Sequence, residues 1–246
     1  MKQKSFLMGV MILLMLTSLN FMACSDDEDV DNSISPSERK LITSIKTPRS
    51  FHKATYDDKN RLLSVDVNET NDWYDDYLEI NYKTNTIVLE KGGTFNFTLN
   101  SSGYIETLTY NGNTRYYTYD DEGYLIDENI DGYHTVYEWK DGNLIRNYDE
   151  GISCEFEYNN MPNISGIYPH GESIFLGDLF MELSQNDLIW ASNLFGKQSK
   201  NLISSSVYHE GSYVEKHDYT YRTNEDGYVI SCTRDNEDIT SYYYNE

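Results

Sequence analysis

Basic side chains are scarce in this 246-residue chain: 19 Lys and Arg stand against 41 Asp and Glu, for a formal net charge of −22. Neutralising phosphate needs clustered cations, so no nucleic-acid partner is expected. Five histidines, His52, His134, His170, His209 and His217, include no pair at metal-ligand spacing on a helix. G-x-S-x-G elbows and phosphate-cradling glycine loops are missing too, which removes the easiest hydrolase and nucleotide readings. No catalytic residue, metal ligand or cofactor is therefore assigned. Beyond the first two dozen residues no segment is apolar enough to enter a membrane. What the chain has in quantity is aromatic: 23 Tyr, 9 Phe and 3 Trp supply the large apolar bodies that disordered chains lack.

Residues 1–23 read as an export signal, with Lys2 and Lys4 before an apolar run from Phe6 to Leu19 that is too short to span a bilayer. Phe21-Met22-Ala23-Cys24 follows, with Ser25 next. A cysteine behind a small residue at that point resembles the lipobox of bacterial lipoproteins, although Phe21 stands where the motif usually has Leu. The resemblance implies that Cys24 is lipidated and becomes the new N-terminus, so that the partner at this end is a membrane.

Residues 24–40 form a tether. Ser25-Asp26-Asp27-Glu28-Asp29-Val30-Asp31 carries five acids that repel one another and stay extended. An acidic run directly after a lipidated cysteine resembles the surface-export signal of Bacteroidetes lipoproteins, which implies a lipid anchor in the outer membrane and exposure at the cell surface.

From residue 41 to 246 the chain repeats itself. A Tyr or Phe, then Asp or Asn, then Gly and an apolar residue recur in Tyr119-Asp120-Asp121-Glu122-Gly123-Tyr124-Leu125 and Trp139-Lys140-Asp141-Gly142-Asn143-Leu144. Weaker copies are Tyr56 to Leu62, Leu99 to Ile105, Tyr158 to Ile164 and Thr223 to Val229. Asp or Asn can bond forward to the backbone and Gly accepts positive φ, so each copy predicts a long turn. Between them Asn111-Gly112, Asp131-Gly132, Glu150-Gly151, His170-Gly171 and Glu210-Gly211 predict tight hairpin turns. Strands of six or seven residues then alternate in a meander, with Tyr133, Thr135, Tyr137 and Trp139 on one face and His134, Val136 and Glu138 on the other.

Residues 172–199 break the repeat. Phe175, Leu179 and Leu183, then Leu188, Ala191 and Phe195, fall at helical spacing, with Gly196 as a positive-φ cap. The expected fold is mainly β: a single curved antiparallel meander sheet of about a dozen strands, an open or half barrel, with a small helical pair packed on it. A β-propeller is the alternative.

The tyrosine-aspartate turns, Leu188-Ile189-Trp190-Ala191, the run from Leu194 to Leu202 and Gly227-Tyr228-Val229 resemble Bacteroidetes lipoproteins of an uncharacterised family related to YD (RHS-like) repeats. That resemblance implies no agreed activity. The function expected is a non-catalytic binding or assembly module of the cell envelope, with a glycan, peptide or envelope protein as ligand. Trp73, Tyr74 and Tyr77, interleaved with Asp72, Asp75 and Asp76, form the tentative ligand-binding cluster. A glycan hydrolase using paired carboxylates is the alternative, although 41 acids make close pairs commonplace. Cys154 and Cys232 are the thiols left after lipidation; Cys154 sits on an apolar face as a buried thiol, and a disulfide is permitted outside the cytoplasm.

Overall fold

The computed structural model describes residues 39–48, 50–69, 77–90, 93–167 and 187–246. The export signal, Cys24, the acidic run, Trp73, Tyr74 and most of the segment expected to be a helical pair lie outside the described residues.

Sixteen strands follow one another among the described residues. The first eight are β1 (Ile42–Lys46), β2 (Ser50–Tyr56), β3 (Leu62–Glu69), β4 (Tyr77–Asn81), β5 (Thr86–Leu89), β6 (Gly93–Leu99), β7 (Ile105–Tyr110) and β8 (Asn113–Tyr119). The rest are β9 (Leu125–Ile130), β10 (Tyr133–Lys140), β11 (Asn143–Tyr148), β12 (Ile152–Pro162), β13 (Asn201–Glu210), β14 (Tyr213–Thr223), β15 (Val229–Arg234) and β16 (Asp238–Tyr244). Each strand pairs antiparallel with the next, as the meander predicts. The sheet does not stay open: β1 pairs with β16, Ile45 opposite Tyr242 and Lys46 opposite Ser241, and closes a barrel. The expected open sheet, half barrel and propeller are corrected by this pairing, which abolishes both sheet edges along its length.

The long turns share one hydrogen-bond pattern. Asp120 accepts on Oδ1 from the backbone N–H groups of Glu122 and Tyr124, while its own N–H donates to the Tyr124 carbonyl. Asn100 repeats the arrangement at Ser102 and Tyr104, and Asp57 at Lys59 and Arg61, where Asn60 takes positive φ (61°) in place of Gly. Two copies differ from expectation. Asp141-Gly142 is a two-residue turn with both φ positive, and the copy expected over Tyr158 to Ile164 is built on Asn163, whose Oδ1 accepts from Ile167. At the other end, Asn111-Gly112 and Asp131-Gly132 are the expected tight turns, whereas the β13–β14 hairpin turns on Gly211-Ser212.

The long turns, Asp141-Gly142 and both ends of the barrel domain lie at one mouth; the other tight turns lie at the opposite one. Leu41 and Asn245 exchange hydrogen bonds there, so the polypeptide leading in from the N-terminus enters at the long-turn mouth. Helix is confined to one short element, α1 (Asp187–Ala191), among the described residues. Of the pair expected over 172–199, the second helix is corrected to end at Ala191, and the first lies outside the described residues. Residues 194–200 cross the strand ends as irregular backbone: Leu194 accepts from the Ile105 N–H, while the N–H groups of Lys197 and Lys200 donate to the carbonyls of Gly123 and Gly142. Gly196 has φ +92°, but its role is close approach, since a Cβ there would lie 2.7 Å from the Gly123 carbonyl oxygen. Leu188, Ile189, Leu194 and Phe195 join the core and close this mouth.

Alternation along the strands decides what the barrel can face. Leu78, Ile80, Ile87, Phe95, Phe97 and Leu108 point inward and are buried. Lys53, Glu79, Glu155 and Lys216 point outward and are exposed. A lipid-facing barrel has the reverse polarity and strands of about 9–11 residues; thirteen of these strands have four to eight. The outer wall is instead dressed with paired hydroxyls such as Thr98 with Thr107 and Thr109 with Thr114. Leu62, Val65, Ile87 and Ile105 have no solvent exposure, so the interior is packed with side chains.

Candidate functional site

The tentative aromatic cluster can be placed at one residue. Tyr77 opens β4 opposite Asp66, half-buried, with its hydroxyl 3.5 Å from Glu79 Oε2. Partial burial, followed by the Glu79 charge, pushes its hydroxyl pKa up. It stands at the mouth opposite the one where the chain enters.

A shallow groove of about 350 Å³ lies between two long turns, lined by Tyr104, Glu106, Thr118, Asp120, Asp121 and Glu122 among others. Its carboxylates are four, but Asp120 is committed to holding its own turn. The Tyr104 ring lies against Tyr119, 5.2 Å between centroids, and forms one wall.

One cluster within the interior is polar. Arg115 on β8 and Glu128 on β9 are 4% and 2% exposed and paired at 2.5 Å. The Tyr117 and Tyr137 hydroxyls also donate to Glu128, each at 3.4 Å. Burial pushes the Glu128 carboxyl above the usual carboxylate range, against the pull of the Arg115 guanidinium, and it pushes both phenols up as well. This cluster is a structural network sealed from solvent, with Glu128 accepting from Arg115, Tyr117 and Tyr137. Cys154 and Cys232 are buried on β12 and β15.

The β13–β14 hairpin was expected at Glu210-Gly211, but its projection beyond the neighbouring hairpin is the feature that sequence reading missed. β14 pairs with β15 only from Tyr219 to Thr223, whereas it pairs with β13 out to Tyr213. Residues 213–217 therefore project past the β15–β16 turn, with Tyr213 54% and Val214 58% exposed. Spacing carried a trace of this: Gly211 and Gly227 are 16 residues apart, against 11 for Gly112 and Gly123. His217 sits on the hairpin between Asp235 (2.6 Å) and Glu215 (3.3 Å), while Asp235 also accepts from the Asp218 N–H. Some burial at Asp235 is outweighed by these bonds, which hold its carboxyl below the usual range.

No protein-family model matches the chain, and a search of curated proteins finds no match either. Solved structures do show the fold. A porin-like protein from Bacteroides uniformis ATCC 8492 superposes with a TM-score of 0.59 at 20% identity, over 84% of this chain and 95% of that one. Another from Bacteroides vulgatus ATCC 8482 gives 0.53 at 12% identity, over 83% and 99%. The chain is thus similar to these barrels in fold.

Proposed function

We propose that the chain is a non-catalytic binding or assembly protein of the outer membrane, held by a lipid on Cys24 and standing in water at the cell surface. One observation carries this reading: the barrel is polar outside and packed inside, the arrangement of a domain that works beside a bilayer and not through it. A porin's conductance needs a hydrated lumen, and the core side chains from Leu62 to Leu108 leave no room for one. The lipobox-like residues and acidic run supply the anchor and the export address, and membership of a YD-repeat-like lipoprotein family fits the repeated turns. The ligand in this reading is a glycan, peptide or envelope protein, taken by the outer surface or mouths of the barrel.

The test is made on the full chain in a lipoprotein-processing bacterial host. Wild type should incorporate radiolabelled fatty acid, fractionate with the outer membrane and be shaved by external protease, and Cys24→Ala should lose the label. The purified lipoprotein should give no step conductance in planar bilayers. Label retained by Cys24→Ala would overturn the anchor, and reproducible channels would overturn the packed-barrel reading.

A further inference from the structure

We infer that the outer edge of β14, from Tyr213 to His217, is a docking site for an extended, basic peptide segment that joins the barrel as an added strand. This deepens the protein-ligand reading above by naming the chemistry of the partner and the place it docks.

The argument begins with hydrogen-bond parity. Glu210 and Tyr213 close the hairpin as a pair, and pairing continues through Tyr208 with Glu215 and Ser206 with His217. Residues 213, 215 and 217 thus turn their backbone groups toward β13. Asp218 has the opposite parity, and its N–H and C=O are taken by Asp235 of the next hairpin. Val214 and Lys216 share that parity but lie beyond the end of β15. Among the described residues no strand pairs with them on that side. Two N–H donors and two carbonyl acceptors are therefore aligned and open, which is the template that strand addition uses. Closure gives every strand two neighbours, and on β14 the backbone of Val214 and Lys216 runs on beyond the end of β15 as a short open step that can accept a strand.

Charge selects the occupant. Carboxylates of Glu210, Glu215, Asp218 and Asp235 surround the edge and outnumber the basic groups beside them, Lys216 at 3.3 Å from Asp218, His217 between Glu215 and Asp235, and Arg234 near Asp235. Tyr208 and Tyr213 form an aromatic pair on the same hairpin, 6.3 Å between centroids, with their hydroxyls on Glu210 and Glu215. A second copy of the chain would bring another formal charge of −22 to the same spot. The chain's own acidic run carries the same sign, and the chain enters at the opposite mouth. An incoming strand whose Lys or Arg side chains alternate with small or β-branched residues is complementary on both counts, backbone and charge.

The experiment uses the full lipidated chain in detergent and three capped octapeptide probes followed by fluorescence anisotropy. One is Lys-Thr-Lys-Val-Lys-Thr-Lys-Val; the second replaces every Lys by Glu; the third is the first with alternate backbone nitrogens methylated. The lysine peptide should bind and weaken as salt rises, the glutamate peptide should not bind, and methylation should weaken binding by about tenfold or more. Lys216→Pro removes an outward N–H without touching the β13–β14 ladder, since proline is tolerated on strand edges. It should reproduce the loss with an unchanged unfolding midpoint; if that variant fails to fold, the methylated probe on wild type decides. Equal binding of methylated and unmodified peptides, equal binding of the glutamate peptide, or no binding at all would overturn the proposal. So would a concentration-dependent dimer abolished by Lys216→Pro, which would make the occupant a second copy. None of these outcomes touches the fatty-acid label or the bilayer recording, so failure here is distinguishable from failure of the anchored-barrel reading.

Discussion

The Cβ that Gly123 lacks would lie 3.0 Å from Cε2 of Tyr104, a residue of the preceding long turn. Gly142 bears the same relation to the next tyrosine, with Tyr124 Oη 3.2 Å from its missing Cβ. Tyr104 and Tyr124, which end successive long turns, thus each lie over the glycine of the following turn at that mouth. Tyr104 then packs on Tyr119 and Tyr124 on Trp139, so neighbouring hairpins are joined by aromatic rings as well as by backbone hydrogen bonds.

Two glycines separate the cost of backbone strain from the cost of this contact. Gly123 and Gly132 have similar positive φ, +93° and +89°, but nothing lies within 4 Å of a Cβ at Gly132. Gly132→Ala should cost about 1 kcal/mol for the left-handed backbone alone, and Gly123→Ala about 1–3 kcal/mol as the Tyr104 ring is displaced too. Chemical denaturation of both variants checks this. Equal losses would mean that the tyrosine yields freely.

The buried ion pair gives a prediction of the opposite kind, in which two changes are milder than one. Glu128→Gln leaves the Arg115 guanidinium in a sealed interior without its counter-charge and should cost about 3–5 kcal/mol. Arg115→Met combined with Glu128→Leu removes both charges and should cost far less than the sum of the single changes. A double-mutant cycle on unfolding midpoints reads the coupling, and additive single losses would show that pairing contributes nothing to the fold.

Much of this was readable in the residues, for a local reason. An aromatic residue at a strand end recurs with its hairpin, and its polar atom reaches the carbonyl 14 positions back: Tyr56 to Ile42, Tyr119 to Ile105, Trp139 to Leu125 and Tyr158 to Leu144. Such spacing prints directly on the sequence, as do the Asp or Asn turn residues. Closure does not, because the pairing of Ile45 with Tyr242 joins residues that share no local pattern. The segment after α1 misled for a related reason. Leu188, Ala191 and Phe195 have helical spacing, yet beyond Ala191 the Leu194 carbonyl and the Lys197 and Lys200 N–H groups find partners on Ile105 of β7 and on Gly123 and Gly142 in the turns before β9 and β11 instead of within a helix. The polar cluster of the interior was hidden because Arg115 and Glu128 alternate like any outward-facing charges. Only the closed barrel shows them facing in.

Acid should loosen the turns before it touches the core. Asp57 accepts from the N–H groups of Lys59 and Arg61 on Oδ1 and from Arg61 Nε on Oδ2. Partial burial works to raise its pKa, but these bonds and the Arg61 charge prevail and hold the carboxyl below the usual range; Asp235 is lowered in the same way by Asp218 and His217. A carboxyl whose pKa is lower in the folded than in the unfolded chain stabilises the fold above the unfolded value, about 4, and that contribution is lost as pH falls through the folded value. Neutral Asn at both positions keeps an acceptor oxygen but has no proton to gain. The gap in unfolding midpoint between wild type and the Asp57→Asn/Asp235→Asn double variant should therefore shrink below about pH 4. Taking the difference cancels the relief of general acidic repulsion, which both proteins share. Curves that run parallel from pH 7 to pH 2 would show that the two carboxylates bind their turns no better charged than neutral.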